Sequence, residues 1–218
     1  MSTLNAKTQK PASDGWIKDA VVWGGLLPTV ILVWDALTGQ LGANPLQRAE
    51  QQTGVLALAM LLLSLSCTPL RLLGSKLGQK WVWPIRVRKH LGLLSAWYAF
   101  VHVVIYVLDK GLIPSQWWYD ILKRPYITVG FLALLILVTL AFTSGKDAVR
   151  RMGFKRWEAL HRLTYLAGVL VVVHYWWAVK KDLTGPIVAL VVLLLGFAAR
   201  ALIRNRMKPR AERKQKEV

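Results

Sequence analysis

Apolar positions in this chain fall into six long blocks, at 17–37, 54–73, 91–108, 127–143, 163–179 and 186–203, separated by shorter polar stretches. A helix crosses the hydrocarbon core of a bilayer with about 20 mostly apolar residues. The pattern therefore predicts an all-α, polytopic membrane protein of six transmembrane helices. It divides the chain into a cytoplasmic N-terminal lead at 1–16, a six-helix domain at 17–203 and a basic cytoplasmic tail at 204–218. Within the second block Pro69 predicts a helix limit or kink, because proline removes a backbone donor. Gly42, Asn44 and Pro45 predict turns in the first outer loop. Trp117, Trp118 and Tyr119 in the second outer loop predict an aromatic belt or docking surface. The sixth block has no polar residue at its centre and is read as a packing helix. The tail is a charge run, expected to be solvated or lipid-bound and disordered.

Composition agrees with the blocks. Hydrophobic residues make up 55% of the 218, eleven are tryptophan, and mean hydropathy is positive. These values are too apolar for a soluble domain. The formal charge of +18 would suit a nucleic-acid surface, but its distribution argues otherwise. Lys7, Lys10, Lys18, then Arg71, Lys76, Lys80, Arg86, Arg88, Lys89, then Lys146, Arg150, Arg151, Lys155, Arg156, Arg162 and the tail fall on one side; the other keeps Arg48, Lys110, Lys123, Arg124, Lys180 and Lys181. This positive-inside bias predicts both termini in the cytoplasm. The first span lacks a small-residue cleavage site after it and is expected to remain in the mature chain. The lone Cys67 excludes an internal disulfide, a four-cysteine cluster and covalent haem attachment through C-x-x-C-H.

Candidate chemistry rests on four histidines in two blocks: His90 and His102 in or beside the third, His161 and His174 around the fifth. Metal-binding side chains inside spans are rare and point to function. Neutral imidazole ligates haem iron, and two imidazoles fill both axial positions, giving an electron carrier. The step from His161 to His174 covers roughly 20 Å of helix, so the two cannot share one iron. Pairing runs between helices: His102 with His174 near the outer face, and, for a second haem, His90 with His161 near the inner face. On a straight helix that step also turns His174 some 140° from His161, so tilt or kinking has to absorb part of the difference. Tyr98 and Tyr106, four residues either side of His102, fall on its face. Ser95 and Gly168 are expected to leave gaps for a flat macrocycle. Among the inner cations, Arg86, Arg88, Lys89 and Arg151 are candidates to receive a flavin or quinone donor, since arginine pairs with phosphate bidentately. No Ser/His/Asp set, zinc spacing or phosphate loop is visible.

Several strings in order, GLLP at 25–28, LGANP at 41–45, TPLR at 68–71, RPYITVG at 124–130, LAFTS at 140–144, WEALHRLTYL at 157–166 and HYWW from His174, resemble the ferric reductase-like transmembrane family over nearly the whole chain. The resemblance implies a b-type haem held by His102, His161 and His174 in some pairing, and a bound FMN. It also implies electrons passing from a cytoplasmic flavin reductase or the quinone pool to a periplasmic molybdopterin enzyme that reduces methionine sulfoxide in proteins. Two-haem relatives space the ligands of one helix as His161 and His174 are spaced. Counted back from His102, that spacing falls on Lys89, with Arg88 beside it, and not on His90. Two other readings stay open: a cytochrome b that reduces ferric iron or quinone directly, and a non-redox transporter or assembly factor whose histidines serve protons or packing.

Overall fold

The computed structural model describes residues 15–79 and 81–216, with side chains up to residue 202. Lys7, Lys10 and Lys80 of the basic pattern, and the side chains of the 204–218 tail, lie outside the described residues. Among the described residues the chain is helical throughout: α1 (Gly15–Leu37), α2 (Pro45–Lys76), α3 (Trp83–Lys110), α4 (Pro114–Lys123), α5 (Pro125–Phe142), α6 (Lys146–Met152), α7 (Phe154–His161), α8 (Leu163–Ala178) and α9 (Thr184–Lys216). Five of these, α1, α2, α3, α5 and α9, are long and apolar enough to cross a membrane. The fifth sequence block is α8, only 16 residues long. It nevertheless continues α7 almost without a break, because Arg162 between them keeps near-helical angles (φ −67°, ψ −20°). In the following, inner and outer denote the two ends as the charge bias orders them.

Helices α2 and α3 pair along most of their length; α1 leans on α3, α5 packs on α8, and α9 returns to α2 and α8. The core draws Leu58, Leu61 and Leu65 from α2, Ala96 from α3, Leu137 from α5, Ala167 and Val172 from α8, and Ala189 and Leu193 from α9. Large apolar side chains such as Trp23, Val30, Phe142 and Leu194 point outward. Lipid is as apolar as leucine, so small residues and polar contacts hold such bundles together. Gly25 of α1 leaves room for Leu94, Tyr98 donates to the Gly25 carbonyl at 2.6 Å, and Ser95 donates to the Ala57 carbonyl at 2.9 Å.

Helix α2 does not stop at Pro69 but runs on to Lys76. The missing proline N–H frees the Leu65 carbonyl one turn earlier, and the Arg200 guanidinium of α9 donates to that carbonyl at 2.7 Å. The outer loop holds the short helix α4, not a plain connection. Its buried Asp120 accepts from Tyr106 of α3 at 2.5 Å and pairs with Arg124 at 3.0 Å. Trp117 donates to the Gly111 carbonyl at 2.8 Å, whereas Trp118 and Tyr119 are exposed. At the next outer turn the Thr184 hydroxyl and, second to it, the Thr184 backbone N–H hold the Asp182 carboxyl below its ordinary range. Helix α9 carries the sixth block on as far as Lys216, as the arginine, lysine, glutamate and alanine content of that stretch favours.

Candidate functional site

Arg88, Ser95 and His102 recur every seven residues on α3 and share the side that meets α2: the Arg88 carbonyl accepts from Ser64, Ser95 reaches Ala57, and His102 reaches Glu50. His102 Nδ1 lies 2.8 Å from the Glu50 carbonyl oxygen. Four residues on, Gly54 leaves the space that the ring fills; a Cβ there would lie 3.1 Å from two imidazole atoms. Helix α5 repeats the arrangement for α8. His174 Nδ1 lies 2.7 Å from the Tyr126 carbonyl oxygen, and a Cβ at Gly130, again four residues on, would lie 2.7 Å from the ring. Each imidazole thus sits in a notch made by a helix carbonyl and a glycine one turn later.

The acceptor fixes the tautomer. A carbonyl only accepts, so Nδ1 of each ring carries the proton and donates it, leaving the Nε2 lone pair free. Hydrogen bonding of the distal nitrogen is how proteins orient imidazole ligands and raise their basicity. The two rings face each other across the bundle, with centroids 6.3 Å apart and planes at 83°. Imidazole–metal bonds of about 2.0–2.1 Å, placed on either side of one ion, put ring centroids about 6 Å apart. The donor set, its protonation and its spacing therefore fit one metal ion that His102 and His174 would hold between them.

The remaining candidates lie elsewhere. His161 closes α7: its ring stacks on Trp157 at 4.3 Å and its Nε2 lies 3.1 Å from Thr143 Oγ1, while Trp157 donates to the Thr143 carbonyl at 2.9 Å. His90 shares a helix side with Val87 and Leu94, toward α1, and its buried Nδ1 has no hydrogen-bond partner among the described residues. The structure brings His102 and His174 together but makes no such pair of His90 and His161. Arg88 reaches Thr68 Oγ1 at 3.5 Å, whereas Arg86, Lys89 and Arg151 are exposed. Tyr98 is fully buried against α1 and does not join the His102 site. Ser95 and Gly168 do not leave the expected gaps: Ser95 is bonded to α2, and Gly168 is packed against Leu65 and Leu193. Gly54 and Gly130 instead make room for the two imidazoles. Gly130 lies in the RPYITVG string, but nothing in its sequence context distinguishes a notch from a packing glycine.

Residues 53–172 match the family described as ferric reductase like transmembrane component. A protein from Deinococcus radiodurans, the protein-methionine-sulfoxide reductase heme-binding subunit MsrQ, is 53% identical over 191 residues, covering 87% of this chain and 92% of the relative. The chain belongs to the ferric reductase-like transmembrane family, within its MsrQ branch. MsrQ proteins of Rhodospirillum rubrum and Ralstonia nicotianae are 44% and 42% identical, covering 88% and 86% of this chain and 91% and 86% of the relatives. The matched window holds Gly54, His102, Gly130 and His161, and ends two residues before His174.

Proposed function

We propose that this chain is a transmembrane electron-transfer protein that holds one haem b between His102 and His174. The observation that carries the reading is the facing pair of imidazoles, each anchored through Nδ1 to a helix carbonyl, with ring centroids 6.3 Å apart. The names of its relatives support it, since those proteins are heme-binding subunits of a protein-methionine-sulfoxide reductase. A haem held by His102 and His174 would supply one-electron chemistry. The residues of the chain do the rest. Glu50 and Tyr126 orient the ligands through their carbonyls, Gly54 and Gly130 admit the rings, and the surrounding helices exclude water. We read the protein as a multi-pass component of a bacterial inner membrane with six spans, α8 being the fifth, occupying 17–203 between a 1–16 lead and a 204–218 tail on the cytoplasmic side. Its electrons come from a cytoplasmic flavin reductase or the quinone pool, with FMN bound on the way, and leave to a periplasmic MsrP-like molybdopterin reductase, where methionine sulfoxide is reduced.

Stopped-flow spectroscopy on the purified protein tests the relay. With an NADH-driven flavin reductase and FMN the haem bands are expected to reduce; adding an MsrP-like enzyme and a protein methionine sulfoxide is expected to reoxidise them. Reduced bands that persist in the presence of both would contradict delivery to that partner.

A further inference from the structure

The two facing imidazoles are joined by a second route, through the protein at the outer end of the bundle. From His102 it follows α3 for one turn to Tyr106, whose hydroxyl donates to Asp120 Oδ2 at 2.5 Å. The other carboxylate oxygen, Oδ1, takes Arg124 Nε at 3.0 Å. Two residues after Arg124 stands Tyr126, whose carbonyl receives His174 Nδ1 at 2.7 Å. Asp120, only 9% exposed, is thus the junction that ties α3 to α4 and to the start of α5, with each of its oxygens given to a different element.

The local sequence explains why a tie is needed there. Arg124 precedes Pro125, and the residue before a proline is driven out of the helical region; Arg124 stands at φ −116°, ψ 98°. Helix α4 therefore ends at Lys123 and α5 begins afresh at Pro125, so the direction of the turn that carries Tyr126 hangs on one extended residue. His102 has no such weakness, because its acceptor Glu50 sits on α2, which pairs with α3 along most of its length, whereas α3 and α5 touch over a shorter stretch. Within the elbow the Arg124 N–H donates to the Asp120 carbonyl at 2.9 Å and the Thr128 hydroxyl donates to the Ile121 carbonyl. The Tyr106–Asp120 bond carries that elbow across to α3, four residues from the other ligand. A buried ion pair is weak evidence for stability, since an apolar side chain packs as well. What a charge-assisted pair adds is direction, and a ligand set has to be held within about 0.5 Å and 10–20°.

We propose that Asp120 is a positioning residue of the two-imidazole site. Through Tyr106 and Arg124 it fixes the Tyr126 carbonyl relative to α3, and so sets the separation of 6.3 Å and the angle of 83° at which the His174 ring meets the His102 ring. The proposal deepens the electron-transfer reading and rests on it.

Electron paramagnetic resonance of the oxidised, haem-loaded protein in nanodiscs reads that angle, because the largest g value of a bis-imidazole haem rises as the ligand planes turn from parallel to perpendicular. The parent is expected to give the large value of near-perpendicular planes. Tyr106→Phe, which changes no charge, and Asp120→Asn, which keeps an acceptor for Tyr106 but loses the Arg124 pair, are each expected to move it toward the smaller value of more parallel planes. Tyr98→Phe is the control: it removes a buried tyrosine hydrogen bond from the same helix, to the Gly25 carbonyl of α1, and is expected to leave the signal unchanged. Hydrogen exchange of segment 114–130, followed by mass spectrometry on the same preparations, needs no haem and is expected to quicken in Tyr106→Phe and Asp120→Asn but not in Tyr98→Phe. Signals of Tyr106→Phe and Asp120→Asn that superimpose on the parent overturn the proposal, as does an equal displacement by Tyr98→Phe. A parent without haem breaks the electron-transfer reading; the exchange arm then decides by itself whether Asp120 holds the elbow, and unchanged exchange in both variants overturns that claim too.

Discussion

The outer and inner stations of this bundle are built on the same pair of segments, yet only one converges. Outside, His102 on α3 meets His174 on α8. Inside, the position on the same side of α3 is Arg88, and the histidine of the α7–α8 segment, His161, turns to Thr143 and Trp157. The difference lies in the neighbouring helices more than in the histidines themselves. Outside, α2 and α5 each offer a carbonyl and a glycine one turn apart, and so orient a ring. Inside, the end of α5 offers a threonine hydroxyl instead. An imidazole at the right depth is therefore not sufficient; a notch that aims it is required.

Closing a notch is the strongest way to break this contrast. Gly130→Val would place side-chain atoms inside the His174 ring volume and is expected to remove most bound haem, measured as haem per chain in purified protein. Gly54→Ala meets a looser contact, 3.1 Å against 2.7 Å, and is expected to lower haem content in part, at an overpacking cost of about 1–3 kcal/mol. A milder test concerns the inner end. Pro69→Ala restores the donor that Leu65 lacks, so Arg200→Gln should cost less stability in that background than in the parent. A double-mutant cycle read by thermal unfolding in detergent is expected to give a coupling of about 1 kcal/mol. The smallest effect is expected from Thr143→Val, which removes the contact to His161 for about 1 kcal/mol and leaves the haem spectrum unchanged. A spectrum altered by that substitution would mean that the inner histidine belongs to the haem site after all.

Much of this architecture was legible in the hydropathy of the chain. The blocks at 17–37, 54–73, 91–108, 127–143 and 186–203 lie on helices that meet the length and apolarity of a span, because in lipid every backbone group has to be bonded within its own helix. The fifth block was legible as apolar, but its helical length is shared with α7 across Arg162. Pro69 misled because its rule concerns a local donor, whereas the freed carbonyl found its partner on α9. Tyr98 misled for a related reason. Spacing by four residues gives a shared side of a helix, but the position of α1 decides which neighbour that side meets. At the site, shared depth brought out His102 and His174. The groups that aim them stayed hidden, since a backbone carbonyl leaves no mark in the sequence and a glycine beside it looks like any other.

The central claim is that His102 and His174 hold one haem between them. A dithionite-reduced minus oxidised spectrum with haem quantified per chain, recorded for the parent, His102→Ala, His174→Ala and His161→Ala, tests it most directly. One b-type haem per chain in the parent and in His161→Ala, and its loss from each of the other two, is the predicted result; full haem content and an unchanged spectrum in both His102→Ala and His174→Ala would contradict it.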